Sequence, residues 1–242
     1  MVTHLEVCID NIESLHYAIA GGATRIELCS SLALGGLTPS YGFMQQAAKQ
    51  SSVPVYAMIR PRQGDFFYNE EELDMMRWDI EAAHQSGLDG VVLGVLTQEG
   101  DATALCEFAQ ALGLGITFHR AFDQCRNAEQ ALEDIIHLGC ERILTSGLAP
   151  SAPAGESVLK SLVEQAQGRI AIMAGAGVNA DNVRHLVKNT NVQEVHLSGK
   201  TTRPSQMTFI AEQSKMGASD VDDFAIPITS TQAIANVAAA LK

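Results

Sequence analysis

Leu5-Glu6-Val7-Cys8-Ile9-Asp10, continuing into Asn11-Ile12-Glu13, decides the fold. The first six residues alternate apolar and polar with a period of two, as a strand does, and the chain then changes to helical spacing. The turn between them holds no glycine. A doubly wound open sheet usually carries a glycine-rich turn straight after its first strand. This turn therefore favours the other architecture built from alternating strands and helices, the closed barrel.

Working outward, the same alternation of periods repeats along the chain. β-rich runs fall near 5–10, 25–31, 54–61, 90–96, 115–123, 142–148, 170–178 and 194–200, bounded by Gly, Pro, Asn or Asp. Helical spacing falls near 12–21, 40–50, 70–86, 102–112, 128–138, 156–167 and 180–189. Asn69 ahead of Glu70-Glu71-Glu72 suits a helix N-terminus, and Gly87, Gly113, Gly139 and Gly168 fall just past helix ends. Strands separated by helices must pair in parallel through right-handed crossovers. The length of 242 residues lies close to the ~250 of a typical barrel. The predicted fold class is therefore α/β, a single-domain (β/α)8 TIM barrel over residues 1–200 with an irregular C-terminal extension over 201–242. Residues 201–229 are rich in Thr, Ser, Pro and Asp and show no clean period. Such a segment either carries a function or interface or simply connects. Ser230 to Lys242 reads as a helix behind a Ser230/Thr231 cap. Ala233, Ile234, Val237 and Leu241 share its apolar face, which is expected to pack on the barrel or on a partner subunit.

Apolar residues make up 46% of the chain and charged residues 18%, enough apolar surface for a real core. Sixteen basic against 28 acidic residues give a net charge of −12, which disfavours nucleic acid and anionic membrane as partners. No run approaches the ~18 apolar residues that a membrane span needs. The opening Met1-Val2-Thr3-His4-Leu5-Glu6 lacks the basic and apolar regions of a signal peptide. Cysteines stand at 8, 29, 106, 125 and 140 with no CxxC pair, which argues against a disulfide framework or a zinc knuckle. The expected location is a reducing cytoplasm.

Alternation also sorts the faces of each strand. Leu5, Val7 and Ile9 should face the helices, leaving Glu6, Cys8 and Asp10 inside. Ile26 and Leu28 face out, with Glu27, Cys29 and Ser31 inside. Val55, Ala57 and Ile59 face out, with Met58 and Arg60 inside. Ile116 and Phe118 leave Thr117 and His119 inside, and Val195 and Leu197 leave His196 and Ser198 inside. Parity does not decide the two strands near 142–148 and 170–178. An ordinary barrel interior is layered with Val, Ile and Leu, and burying polar groups instead is costly unless they pair. Pairing of Glu6 or Glu27 with Arg60 is one expected solution.

Two kinds of site follow from that interior. Cys8 and Cys29 occupy equivalent places on neighbouring strands ~4.8 Å apart, where two sulfurs can reach one ion. With Met58, His119 or His196 nearby they form a soft donor set that favours Cu(I), with Zn(II) a weaker option. The competing reading is that buried cysteines act as small apolar residues. Cys106 and Cys140 read as packing residues, and Cys125 is left unassigned. The second site is for an anion. Gly175, Gly177, Ser198 and Gly199 lie in the turns Ala174–Asn179 and Leu197–Thr201, where barrels often bind phosphate, and Lys200 can add charge. Glu27, Arg60, His119 and Asp123, with Asp10, Arg62, Arg120 and Ser146, form an acid–base set at the strand ends. No Ser-His-Asp order, HExxH or Walker motif occurs, and no strand carries an internal lysine for Schiff-base chemistry.

Several of these runs also carry a resemblance. Leu5–Asp10, Arg25-Ile26-Glu27-Leu28-Cys29-Ser30, Gly35-Gly36-Leu37-Thr38-Pro39-Ser40, Met58-Ile59-Arg60-Pro61-Arg62, Thr117-Phe118-His119-Arg120-Ala121-Phe122-Asp123 and Ile143-Leu144-Thr145-Ser146-Gly147 together resemble the CutC copper homeostasis family. The likeness spans about residues 5–200 and looks closest to enterobacterial members. It implies a cytosolic β/α barrel, commonly oligomeric, with Cys8 and Cys29 as Cu(I) ligands and copper as the tentative cofactor. Two functions are carried forward. One is cytosolic Cu(I) binding in copper homeostasis by a homodimer. The other is an enzyme acting on a small phosphorylated or carboxylated substrate, with Glu27 or His119 as base and Arg60 and the two glycine-bearing turns holding the anion.

Overall fold

Strands with one apolar edge outward and helices with one apolar stripe inward can bury both only by wrapping the sheet in the helices. The computed structural model, which describes residues 4–103, 105–209, 214 and 222–242, does this by closing the sheet. The strands β1 (His4–Ile9), β2 (Arg25–Leu28), β3 (Val55–Met58), β4 (Gly90–Leu93), β5 (Gly115–Phe118), β6 (Arg142–Thr145), β7 (Ala171–Ala174) and β8 (Glu194–Leu197) pair in chain order, and β8 returns to β1. Every pairing in this ring is parallel. The helices are α1 (Ile12–Gly21), α2 (Tyr41–Gln50), α3 (Glu70–Gln85), α4 (Cys106–Ala111), α5 (Ala128–His137), α6 (Glu156–Ala166), α7 (Val183–Thr190) and α8 (Thr231–Ala240). The (β/α)8 barrel is the fold that the alternating periods predict.

Local chemistry sets the element ends. Asn69 begins α3 with a reciprocal capping box: its side chain accepts from Glu72 N at 2.8 Å, and Glu72 accepts from Asn69 N at 2.9 Å. Three glutamates in the first turn of α3 complement the positive end of the helix.

Apart from Ser31, which lies beyond the end of β2 and is exposed, the faces fall as alternation assigns them. Leu5, Val7, Ile9, Ile26, Leu28, Val55, Ala57, Ile116, Phe118 and Val195 belong to the main core between barrel and helices. Cys8, Cys29, Tyr56, Met58 and Val92 form a separate cluster inside the barrel. In the two strands that parity left open, Ile143 and Ile172 join the outer core, while Arg142 and Met173 point toward the buried Arg25 and Glu194.

The N-terminal end of the barrel is plugged by ions rather than by Val, Ile and Leu. Arg25, 2% exposed, pairs with both Glu6 and Glu194. Arg142 lies 3.2 Å from Glu194 and donates to Thr117 Oγ1 at 2.9 Å. Tyr56 sits between the two guanidiniums, 5.6 Å from Arg25 and 4.8 Å from Arg142, and its hydroxyl donates to Glu141 at 2.8 Å. The expected pairing of Arg60 with Glu6 or Glu27 does not occur. Arg25, at the start of β2, reaches Glu6 first, and Glu27 turns to His196.

Other expectations are corrected at the element level. The run near 115–123 stops as a strand at Phe118 and continues as a 3-10 turn over Arg120–Gln124. The helix expected over 102–112 begins at Cys106, because Ala102–Thr103 pairs as a short antiparallel strand with Val95–Leu96. The helix expected over 180–189 begins at Val183. The segment 201–229 is not irregular at its ends. Lys200–Pro204 and Ala225–Thr229 pair antiparallel, with Thr202 opposite Pro227. Pro204 and Pro227 interrupt the alternation that would have announced a hairpin. The middle of that segment lies outside the described residues.

The hairpin and α8 lie against α1. Arg203 pairs with Glu13 at 2.8 Å, Thr229 N donates to Ser14 Oγ at 2.9 Å, and Asn11 Nδ2 donates to Pro227 O at 3.0 Å. Ile234 and Val237 of α8 are buried in the main core.

Candidate metal and ligand site at the barrel mouth

One step along each strand toward the C-terminal end, the residues of the ion plug give way to chemically active ones. Glu6 is followed two positions on by Cys8, Arg25 by Glu27, and Glu194 by His196. The period of two keeps all of them inside. The register places Cys8 opposite Glu27, and Glu6 opposite His196. The result is a compact group: a ligand atom from each of Cys8, Glu27 and His196 lies within 4.8 Å of the others. His196 Nε2 sits 3.0 Å from Glu27 Oε2 and 3.9 Å from Glu6 Oε1. Cys29, fully buried, donates its thiol to the same Glu27 Oε2 at 3.6 Å. Cys29 thus stands on the rim of the group and touches it through Glu27.

The electrostatics of the group are tightly linked. Burial pushes the Cys8 thiol up, while His196 pulls it partly back. Burial, then the charges of Glu27 and Cys8, push Cys29 well above the usual thiol range. Burial opposes protonation of His196, but Cys8 and Glu27 outweigh it and hold the imidazole well above its ordinary pKa. A sulfur, an imidazole nitrogen and a carboxylate oxygen converging in this way form a donor set suited to a thiophilic or borderline cation.

This group opens into a cavity of about 1310 Å³ at the C-terminal mouth of the barrel, where sites of this fold are built. Arg60 and His119 also line it. Arg60 is 7% exposed. It donates to the carbonyls of Leu34 (3.0 Å), Gly36 (3.2 Å) and Gly64 (3.0 Å) and stacks 5.1 Å over Phe66, while its Nε has no partner. His119 is 3% exposed and packs on Phe66 with ring centroids 4.9 Å apart. Its Nδ1 accepts from Ala121 N at 3.1 Å, so the neutral ring carries its proton on Nε2, which has no partner. Burial, reinforced by the Arg60 charge, lowers the His119 pKa to about 3.

The remaining predicted residues fall as follows. Asp123 accepts from Arg120 Nε (2.7 Å), Thr145 Oγ1 (2.5 Å), Ser146 N and Oγ and Leu148 N, so its lone pairs are occupied in tying the 3-10 turn to the end of β6. Gly177, Ser198 and Gly199 line the cavity with Lys200. Gly175 lies beneath them, where an added Cβ would come within 2.5 Å of Leu144. Met58 packs beside the two cysteines, and His119 stands outside the three-donor group. The sequence reading did not single out Gly94. An added Cβ there would lie 2.5 Å from His119 Nδ1, so the glycine makes room for the ring. Cys106 and Cys140 place their sulfurs 3.4 Å apart in the outer core.

A closed ring of eight parallel strands with helices between them, and a polar, thiol-bearing chamber at its C-terminal mouth, defines a TIM barrel. Among the described residues no helix is long and apolar enough to cross a membrane. Residues 3–201 match the CutC family, and the chain belongs to that family. It is 97% identical to a family protein CutC of Vibrio parahaemolyticus, over the whole of both chains. It is 62% identical to one from Vibrio cholerae, over 100% of this chain and 97% of that one. Nothing among these relatives supports the enterobacterial placement. A crystal structure of CutC from Streptococcus agalactiae, a protein provisionally assigned to copper homeostasis, superposes with a TM-score of 0.74 at 35% identity. The match covers 81% of this chain and 98% of that one.

Proposed function

We propose that this protein serves copper homeostasis by binding Cu(I) at the barrel mouth, in the cytoplasm and as a homodimer. Cys8 is the central ligand, His196 and Glu27 stand beside it, and Cys29 is the second sulfur. The observation that carries this reading is the convergence of Cys8, Glu27 and His196 atoms within 4.8 Å, with Cys29 bonded to the same carboxylate. Soft sulfur and imidazole donors favour Cu(I), and the family relationship agrees with it. Ligand thiols must lose their protons when the ion enters, so copper uptake releases protons. The test is competitive Cu(I) titration of the wild type against a Cys8→Ser, Cys29→Ser double variant. A loss of about a hundredfold or more in affinity is expected, and equal affinity ends this reading.

A second reading is an enzyme acting on a small phosphorylated or carboxylated substrate. The cavity is far larger than one ion needs, and Glu27, Arg60 and His119 line it. Screening the metal-free protein against a panel of small phosphates and carboxylates by thermal shift tests it. The absence of any stabilising compound would count against it.

A further inference from the structure

We propose that Cys106 and Cys140 are a redox-sensitive modification site. Hydrogen peroxide oxidises them to a reversible disulfide when α4 opens locally, and the bond then pins α4 to the turn that leads into β6. The pair takes no part in either reading of the barrel mouth, so it stands whichever of them holds.

The fold brings these two thiols together from distant parts of the chain. Their sulfurs lie 3.4 Å apart, although 34 positions separate the residues. A disulfide needs the sulfurs about 1.4 Å closer, a closure within the reach of small side-chain and backbone shifts. Among the described residues no other two thiols hydrogen-bond to each other. Cys29 donates to Glu27, and Cys125 donates to Ala121 O at 3.8 Å. Cys106 and Cys140 are buried in the main core outside the barrel, whereas Cys8 and Cys29 belong to the separate cluster inside it. A bond between the outer pair therefore leaves the sulfurs of the mouth untouched.

Burial protects the closed pair, and α4 is the way in. The hydrogen bond with Cys106, and then burial, push the Cys140 thiol up, and a thiol held protonated is a poor nucleophile. α4 has only six residues and no side-chain cap at its start. Gln110 ties it to the turn after α5, donating to Leu138 O at 2.9 Å and Gly139 O at 3.1 Å. Short helices without caps lie at the low end of local stability, so they open before the barrel does. Opening separates the two sulfurs and admits solvent. The Cys140 thiolate then attacks one peroxide oxygen and the O–O bond breaks, giving a sulfenic acid and a hydroxide that leaves as water with the proton the thiol lost. As α4 recloses, the Cys106 sulfur attacks the sulfenic sulfur, the S–O bond breaks and a second water leaves, taking the Cys106 proton. Two thiols give up two electrons and two protons, and one peroxide becomes two waters. The bond closes a long loop and removes freedom from the unfolded chain, so the oxidised protein is harder to unfold.

The test treats the full chain, with EDTA present, with a concentration series of hydrogen peroxide, blocks the remaining thiols with N-ethylmaleimide and digests with trypsin without reduction. Cleavage after arginine leaves Cys106 in Trp78–Arg120, Cys125 in Ala121–Arg126 and Cys140 in Asn127–Arg142, so mass spectrometry tells the candidate bonds apart. A species joining the first and third peptides is expected, and dithiothreitol should remove it. The oxidised protein should unfold at higher urea than the reduced one, and reduction should reverse the shift. Gln110→Ala, which unties α4, should speed the cross-link about fivefold, the weight of about one net hydrogen bond. Cys106→Ala and Cys140→Ala should each lack both the joined peptide and the shift, and the wild-type cross-link decides the matter even if these variants fold poorly. Sulfinic or sulfonic acid at Cys140 without the joined peptide overturns the proposal. So do thiols that stay reduced across the peroxide series, a cross-link that appears only once near-UV circular dichroism shows the protein unfolded, and a rate unchanged by Gln110→Ala.

Discussion

Cys8 and Cys29 are alike in the sequence and different in the structure. Cys8 belongs to the group with Glu27 and His196, whereas Cys29 stands outside that group and is hydrogen-bonded to its Glu27. In Cu(I) competition assays Cys8→Ser should therefore lose more affinity than Cys29→Ser, by about tenfold or more, and equal losses would show two equivalent sulfurs. His119 gives a prediction in pH. Its pKa is about 3 in the folded protein against 6.5 ordinarily, so below that value the unfolded chain binds the extra proton. The stability linked to this ring is complete above about pH 6.5 and is lost as the pH falls toward about 3. NMR signals of the His119 ring should show no titration between pH 8 and pH 4, and the urea midpoint of His119→Gln should fall less steeply with acid than that of the wild type. The inward placement of both cysteines, Glu27 and His119 was legible from alternation alone. Their partners were not. Alternation fixes a face but not a height, and in a closed barrel the stagger between strands sets which inward groups meet.

At the level of elements, the strands and most helices were legible because each combines a clear period with a terminator that has a mechanism. The short helix α4, the start of α7 and the hairpin of Lys200–Pro204 with Ala225–Thr229 were not. At α4 and at the hairpin, strand pairing (Val95–Leu96 with Ala102–Thr103, Lys200–Pro204 with Ala225–Thr229) and, in the hairpin, two prolines override the local pattern. The docking of α8 on α1 depends on one small residue. A Cβ at Gly21 would lie 2.6 Å from Ile234 Cβ and 2.8 Å from Thr231 O. Gly21→Ala should push α8 away despite alanine's better helix propensity. Hydrogen exchange should show lost protection confined to α8 and the hairpin, with a fall in stability of about 1–3 kcal/mol in urea unfolding. Unchanged protection in α8 would show that the contact relaxes without cost.

Across the whole molecule, charge is segregated along the barrel axis. The N-terminal end is a closed ion network, and the C-terminal end is an open chamber with unpartnered groups. Arg25 ties β1, β2 and β8 together through Glu6 and Glu194. Arg25→Ala removes the guanidinium that Glu6 and Glu194 share, leaving Glu194 to Arg142 and Glu6 with only His196 at 3.9 Å, and urea unfolding should show a loss of about 3–5 kcal/mol. A change below about 1 kcal/mol would mean that Arg142 or water takes over the charge. The proposed homodimer predicts a light-scattering mass of two chains at micromolar concentration, and the mass of one chain would remove it.

By itself the sequence determined the architecture and the inventory of the chamber. Periods of two and 3.6 are local properties, and eight repeats of them have few ways to bury both apolar faces. Only the tertiary structure decided that Arg25 takes Glu6, that Glu27 turns to His196 and Cys29, and that His119 Nε2 is left without a partner. These choices depend on the register between strands far apart in the chain, and on the competition of buried charges for the nearest opposite partner once water has been excluded.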